Sequence, residues 1–182
     1  MIFVDSNIPM YVIGATHPNK TTAQHILETC IAKQIRLITD AEVFQEILHR
    51  YGAIHCREAI QPAFDLLSGI ADEIFPIEQQ DLLMAKDIML GHDRLSSRDA
   101  IHIAVMAHHG VSQIFSFDAG FDAYPGIHRI SNRLALWSLF FNLLAGCFIL
   151  EAAVEREKAV QEIYVHREFL KLVVTLWVIR DA

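Results

Sequence analysis

Four carboxylates stand out for where they fall along the chain. With 22 Asp and Glu in 182 residues, their mere number carries no information. Asp5 follows the apolar run Ile2–Phe3–Val4, and Asp118 follows Ile114–Phe115–Ser116–Phe117. Glu46 lies between Val43 and Ile47 on an amphipathic pattern, and Asp99 opens the apolar run DAIHIAVMA. All four read as partly buried. Carboxylates gathered out of water raise one another's pKa values unless a cation neutralises them. A hard divalent ion such as Mg²⁺ or Mn²⁺, which takes oxygen ligands and keeps several waters, is the simplest remedy.

Each of these residues also suits a purely structural task. Asp99 follows Ser96 and Ser97 and fits the first turn of a helix. Asp5 and Asp118 fit the turns that follow strands. Glu42 competes with Glu46 one helical turn earlier, and Asp122 competes with Asp118. Spacing alone leaves these alternatives open. Among ten histidines, His102 falls one turn after Asp99 and His49 three residues after Glu46, so each is placed to face a shared pocket. A metal-activated water requires neither. No HExxH, GxGxxG or P-loop pattern is present.

The elements that must position these groups alternate in type. Strand-like runs occur at Ile2–Val4, Ile35–Thr39, Glu73–Ile77, Gln113–Phe117 and Ile127–Ile130. Helical spacing covers 21–33, 56–69, 80–90 and 98–109, the last stopped by Gly110. Asp40 reads as the N-cap of a further helix through Val43, Phe44, Ile47 and Leu48. Strands separated by helices imply βαβ units, hence an α/β fold with a parallel sheet covered on both faces. Asp5 and Asp118 then fall at carboxyl ends of strands, where open α/β sheets bind ligands.

Composition narrows the class further. A chain that is 53% apolar, with mean hydropathy +0.29, is a folded protein with a sizeable core. A net charge of −7 argues against a protein that coats DNA or RNA electrostatically. Cys30, Cys56 and Cys147 are odd in number and form no CxxC, which points to a reducing, cytoplasmic setting. The opening residues lack the pattern of a signal peptide. Residues 1–130 carry the whole acidic excess, 16 acids against 9 bases, while 131–182 hold six of each. The boundary expected there separates a 1–130 domain from an apolar helical extension over 131–182.

The motifs DSN at 5–7, TDAEVFQEIL around Glu46, LSSRDAIHIAVM around Asp99 and SFDAGFDAYPG ending at Gly126 resemble the PIN-domain family. More narrowly, they resemble VapC-type toxins of toxin–antitoxin modules. The resemblance spans residues 1 to about 130. It implies a compact α/β/α sandwich with a central parallel sheet, and Mg²⁺- or Mn²⁺-dependent cleavage of RNA. It also implies neutralisation by a small VapB-type antitoxin, and homodimer formation. By position, Asp5, Glu46, Asp99 and Asp118 match the family's acidic quartet, with Asp5 and Asp99 as principal metal ligands. Asp122 matches a position that is often acidic, and Asn7 the polar residue beside the site. Arg94 and Arg98, flanking the start of the Asp99 helix, are candidates for RNA phosphates, or ordinary solvated surface.

Two rival readings follow from the same residues. One is a non-catalytic PIN-like module that binds RNA or a protein. The other is a phosphatase with Asp5 as nucleophile, which would want Asp where position 7 has Asn. The run Leu134–Leu150 has no charge and approaches the ~20 residues of a membrane span. It reads as a packed helical hairpin, a membrane anchor that would tether the module, or an unselected extension.

Overall fold

The computed structural model describes residues 1–132 and 134–136. Five parallel strands form one sheet in the order β3-β2-β1-β4-β5. They are β1 (Ile2–Val4), β2 (Leu37–Asp40), β3 (Glu73–Phe75), β4 (Gln113–Phe115) and β5 (His128–Ile130). Between them run α1 (Asn7–Ile13), α2 (Pro18–Ala32), α3 (Ala41–Ala53), α4 (Ile60–Ile70), α5 (Gln79–Gly91) and α6 (Ser97–His108). The central strands are apolar on both faces: Ile2, Phe3, Val4, Ile38, Ile114 and Phe115 are all fully buried. That pattern requires helices on both sides. The right-handed rule for crossovers puts α1–α4 on one face and α5 and α6 on the other. The packing agrees, with α1 against α2 and α4, α3 against α4, and α5 against α6.

The strand order reverses at the β1/β4 pair, where Phe3 is in register with Ile114 and Val4 with Phe115. From β1 the chain steps outward to β2 and β3, then returns across the sheet to β4. The two loops leaving β1 and β4 therefore part in opposite directions and open a crevice. The Asp5 N–H donates to the Phe115 carbonyl (3.1 Å) and fixes the start of that crevice.

Several local features follow the expectations from sequence. Asp40 caps α3 through its Oδ1, which accepts from the Val43 N–H (3.0 Å). Gly110, in the left-handed region at φ +67°, follows the end of α6. Others differ. Helix α1 begins at once after Asp5, and α2 starts at Pro18, earlier than expected. Strand β3 stops before Pro76, which has no N–H to pair. Strand β4 stops at Phe115: the Ser116 N–H still donates to the Ile130 carbonyl (3.3 Å), but side chains take the two amides after it, Asn7 Oδ1 accepting from Phe117 N–H (3.3 Å) and Ser116 Oγ from Asp118 N–H (2.9 Å). The segment 56–69 divides into a 3₁₀ turn at Arg57–Ala59 and α4. Among the described residues, no helix is long and apolar enough to cross a membrane. All but the first three residues of 134–150, and most of the extension expected over 131–182, lie outside the described residues.

Candidate active site

Asp5 sits at the carboxyl end of β1 and is buried. Its carboxylate is held by three neighbours. Oδ1 accepts the Ser6 N–H (2.6 Å), and Oδ2 accepts the Ser116 hydroxyl (2.5 Å) and the Asn7 side-chain amide. The Asn7 amide also donates to Ser116 Oγ (2.9 Å), tying the β1 and β4 loops together. Burial pushes the Asp5 carboxyl up from its ordinary 3.8 to about 6, against the opposing pull of His102 and the Ser116 hydroxyl, with Glu46 adding to the rise.

Glu46 reaches the same place from α3. Its Oε2 accepts the Ser6 hydroxyl, and its Oε1 stands 3.7 Å from Arg98 Nε and 3.5 Å from His102 Nε2. Burial works to raise this carboxyl, but His102, Ser6 and Arg98 outweigh it and hold it below the ordinary range. One ligand atom each from Asp5, Glu46 and His102 lie within 4.8 Å of one another. His102 is itself fixed from behind, its Nδ1 2.7 Å from Asp40 Oδ2, with both side chains buried. Burial works to lower the His102 pKa, yet the surrounding carboxylates of Asp40, Glu46 and Asp5 raise it well above 6.5.

Asp99 and Asp118 form a second pole. Asp99 is the third residue of a capping box: Ser96 Oγ accepts its N–H (3.1 Å), and its Oδ2 accepts the Ser96 N–H (3.2 Å). Burial raises its pKa, Ser96 opposes the rise, and Asp118 adds like-charge repulsion. A Cβ built on Gly120 would lie 3.1 Å from Asp118 Oδ1 and 3.5 Å from Asp99 Oδ2. The two carboxylates thus flank one small space that the glycine leaves open. Asp118 is exposed rather than partly buried, because the chain turns outward after Ser116. Its Oδ1 caps the following 3₁₀ turn by accepting the Gly120 N–H (2.7 Å).

The remaining candidates fall as follows. Asp122 is exposed and held by Arg129 in a two-pronged ion pair (2.8 and 2.7 Å), which lowers its pKa. Arg98 stands at 3.7 Å from both Glu42 and Glu46, while Arg94 and His49 are exposed. Sequence reasoning did not find Ser6 or Ser116, and gave Asp40 a capping task alone. The signal was present for both serines, Ser6 inside the DSN motif and Ser116 at the head of SFDAGFDAYPG. The donor set fits a divalent ion on chemical grounds. Carboxylate oxygens converge, and the buried His102 Nε2 has no hydrogen-bond partner.

A family model for the PIN domain matches residues 2–127. Ribonuclease VapC13 of Mycobacterium tuberculosis is 59% identical over 131 residues, covering 72% of this chain and all of that protein. The chain belongs to the PIN-domain family, in its VapC branch. The PIN fold also appears in two solved structures that share it at low identity. One is the M. tuberculosis toxin VapC20, described as cleaving the sarcin–ricin loop (TM-score 0.59, 23% identity, 68% of this chain and 94% of that one). The other is a toxin–antitoxin complex from Klebsiella pneumoniae (TM-score 0.53, 19% identity, 70% and 95%). In this PIN domain, Asp5 follows β1 and Asp118 follows β4, the two strands that flank the crevice.

Proposed function

We propose that this VapC-type protein is a divalent-metal-dependent endoribonuclease. It would act in the cytoplasm as the toxin of a pair whose second member is a small VapB-type antitoxin. The reading is supported by two groupings, Asp5 and Glu46 beside His102 and Asp99 beside Asp118, in a chain 59% identical to a ribonuclease. The toxin–antitoxin complex of the same fold supports the antitoxin partner. The family match ends at 127 and the last strand among the described residues at Ile130, which supports placing the activity in residues 1–130.

Asp5, Glu46, Asp99 and Asp118 would hold the ion, Mg²⁺ or Mn²⁺. When bound, the ion supplies a water acidic enough to attack a phosphodiester at neutral pH, and it offsets the charge of the phosphate. The chain's own residues prepare that site. Ser116 and Asn7 fix the Asp5 carboxylate, and Ser6 fixes Glu46. Glu46, kept ionised, would orient the attacking water or share a second ion. Arg98 at the rim offers a guanidinium to an RNA phosphate. Beside Asn7 a cavity of about 660 Å³ is lined in part by Tyr11, His17 and Arg50, and the Tyr11 and His17 rings stack at 4.2 Å. Such faces suit the bases on either side of the cleaved bond.

The test is incubation of the purified full chain with total cellular RNA, with and without EDTA, followed by mapping of the product ends. Discrete new ends that disappear with EDTA are expected. RNA that is bound but left uncut under Mg²⁺ and Mn²⁺ would leave a binding module in place of an enzyme.

A further inference from the structure

His102 lies one helical turn beyond Asp99 on α6, yet its ring turns toward Asp5 and Glu46. The ring is 1% exposed. Phe3 packs beside it, with centroids 5.3 Å apart. One edge is clamped, because Nδ1 meets the buried Asp40 carboxylate at 2.7 Å. The other edge is not: Nε2 is buried without a hydrogen-bond partner, 3.5 Å from Glu46 Oε1. A carboxylate on one imidazole nitrogen with the other aimed at further ligands is the arrangement that orients metal-binding histidines.

We propose that His102 Nε2 is a direct nitrogen ligand of the divalent ion, alongside Asp5 and Glu46, with Asp40 holding the ring. This rests on the metal-nuclease reading above and adds a ligand to it. Binding releases the Nε2 proton to solvent and places the nitrogen lone pair on the ion. An all-oxygen site suits Mg²⁺, whereas an imidazole shifts preference to transition ions. The pole formed by Asp5, Glu46 and His102 therefore selects Mn²⁺ over Mg²⁺.

The test loads the full chain with Mn²⁺ and reads nitrogen coupling to the ion by pulsed electron paramagnetic resonance, with ¹⁴N- and ¹⁵N-labelled histidine. A histidine coupling that changes with the isotope and vanishes in His102→Gln is expected, with Mn²⁺ affinity reduced roughly tenfold or more and Mg²⁺ affinity reduced less. Should His102→Gln fail to fold, His102→Asn serves instead, with the same loss of coupling expected. Mn²⁺ bound without nitrogen coupling, or with a coupling that survives His102→Gln, overturns the proposal and leaves the carboxylate-held nuclease intact. No uptake of Mn²⁺ or Mg²⁺ overturns both.

Discussion

Asp40 serves two helices at once: Oδ1 caps α3 at the Val43 amide, while Oδ2 holds Nδ1 of His102 on α6 at 2.7 Å. The helices that carry Glu46 and Asp99 are thereby joined under the crevice by one buried carboxylate. Breaking a buried pair from one side strands the other partner, at a cost of about 3–5 kcal/mol. Asp40→Asn is expected to lower Tm by roughly 10–20 °C. Adding His102→Gln to Asp40→Asn should recover part of that loss, because no imidazolium is then left without its Asp40 partner. Thermal unfolding of the two single variants and the double variant checks this.

Asp99→Asn is expected to lower RNA cleavage by roughly 10²- to 10³-fold, equivalent to about 3–4 kcal/mol of transition-state stabilisation. The amide oxygen can still accept the Ser96 N–H, so the capping box survives and stability should fall by less than about 1 kcal/mol. Cleavage at the wild-type rate with Mg²⁺ would remove Asp99 from the site.

Gly120 tests the second pole without replacing a carboxylate. In Gly120→Ala the new methyl would press on Asp118 Oδ1 and reach Asp99 Oδ2. Stability should stay within about 0.5 kcal/mol, while divalent-ion affinity falls several-fold by calorimetry. An unchanged affinity would mean that the two carboxylates do not share an ion.

Asp122 should behave differently from Asp118. Its ion pair with Arg129 braces the 3₁₀ turn that follows Asp118. Asp122→Asn is expected to cost up to about 1 kcal/mol and to leave metal affinity unchanged. A loss comparable to that of Asp99→Asn would make it a ligand.

The buried acid and the buried imidazole set a common pH dependence. Between 3.8 and about 6 the folded state keeps the Asp5 proton that the unfolded chain has released, so stability falls as pH rises through that window, by roughly 3 kcal/mol. The His102 contribution is fully present below 6.5 and is lost as pH rises through its higher folded value. Metal-free protein should therefore lose Tm between pH 5 and 8. Mn²⁺ should raise Tm more at pH 8 than at pH 5, because below about 6 it competes with the Asp5 proton. A scan of Tm against pH with and without Mn²⁺ decides it.

Much of this was readable in the chain because the signals are local. A run of three apolar residues ending in Asp5, a cap at Asp40 followed by helical spacing, and a glycine stop at 110 each need only a few neighbouring positions. Helix α1 did not show itself, since seven residues containing Pro9 give too little periodicity. The end of β4 was set by Asn7, 110 positions away from Phe117. The same distance effect governed the site. Asp5 and Glu46 announce themselves beside apolar residues, whereas the partnership of His102 with Asp40 spans 62 positions and exists only once the sheet is assembled. The exposure of Asp118 follows from an outward turn that no periodicity marks.

The capping box at Asp99 gives the crevice an unplanned reporter. One oxygen of that carboxylate already terminates the helical ladder at the Ser96 amide. Whatever draws electron density from Asp99 must loosen or tighten that first turn. Chemical shifts of the Ser96 and Ser97 amides would then track cation occupancy in solution, with no RNA present.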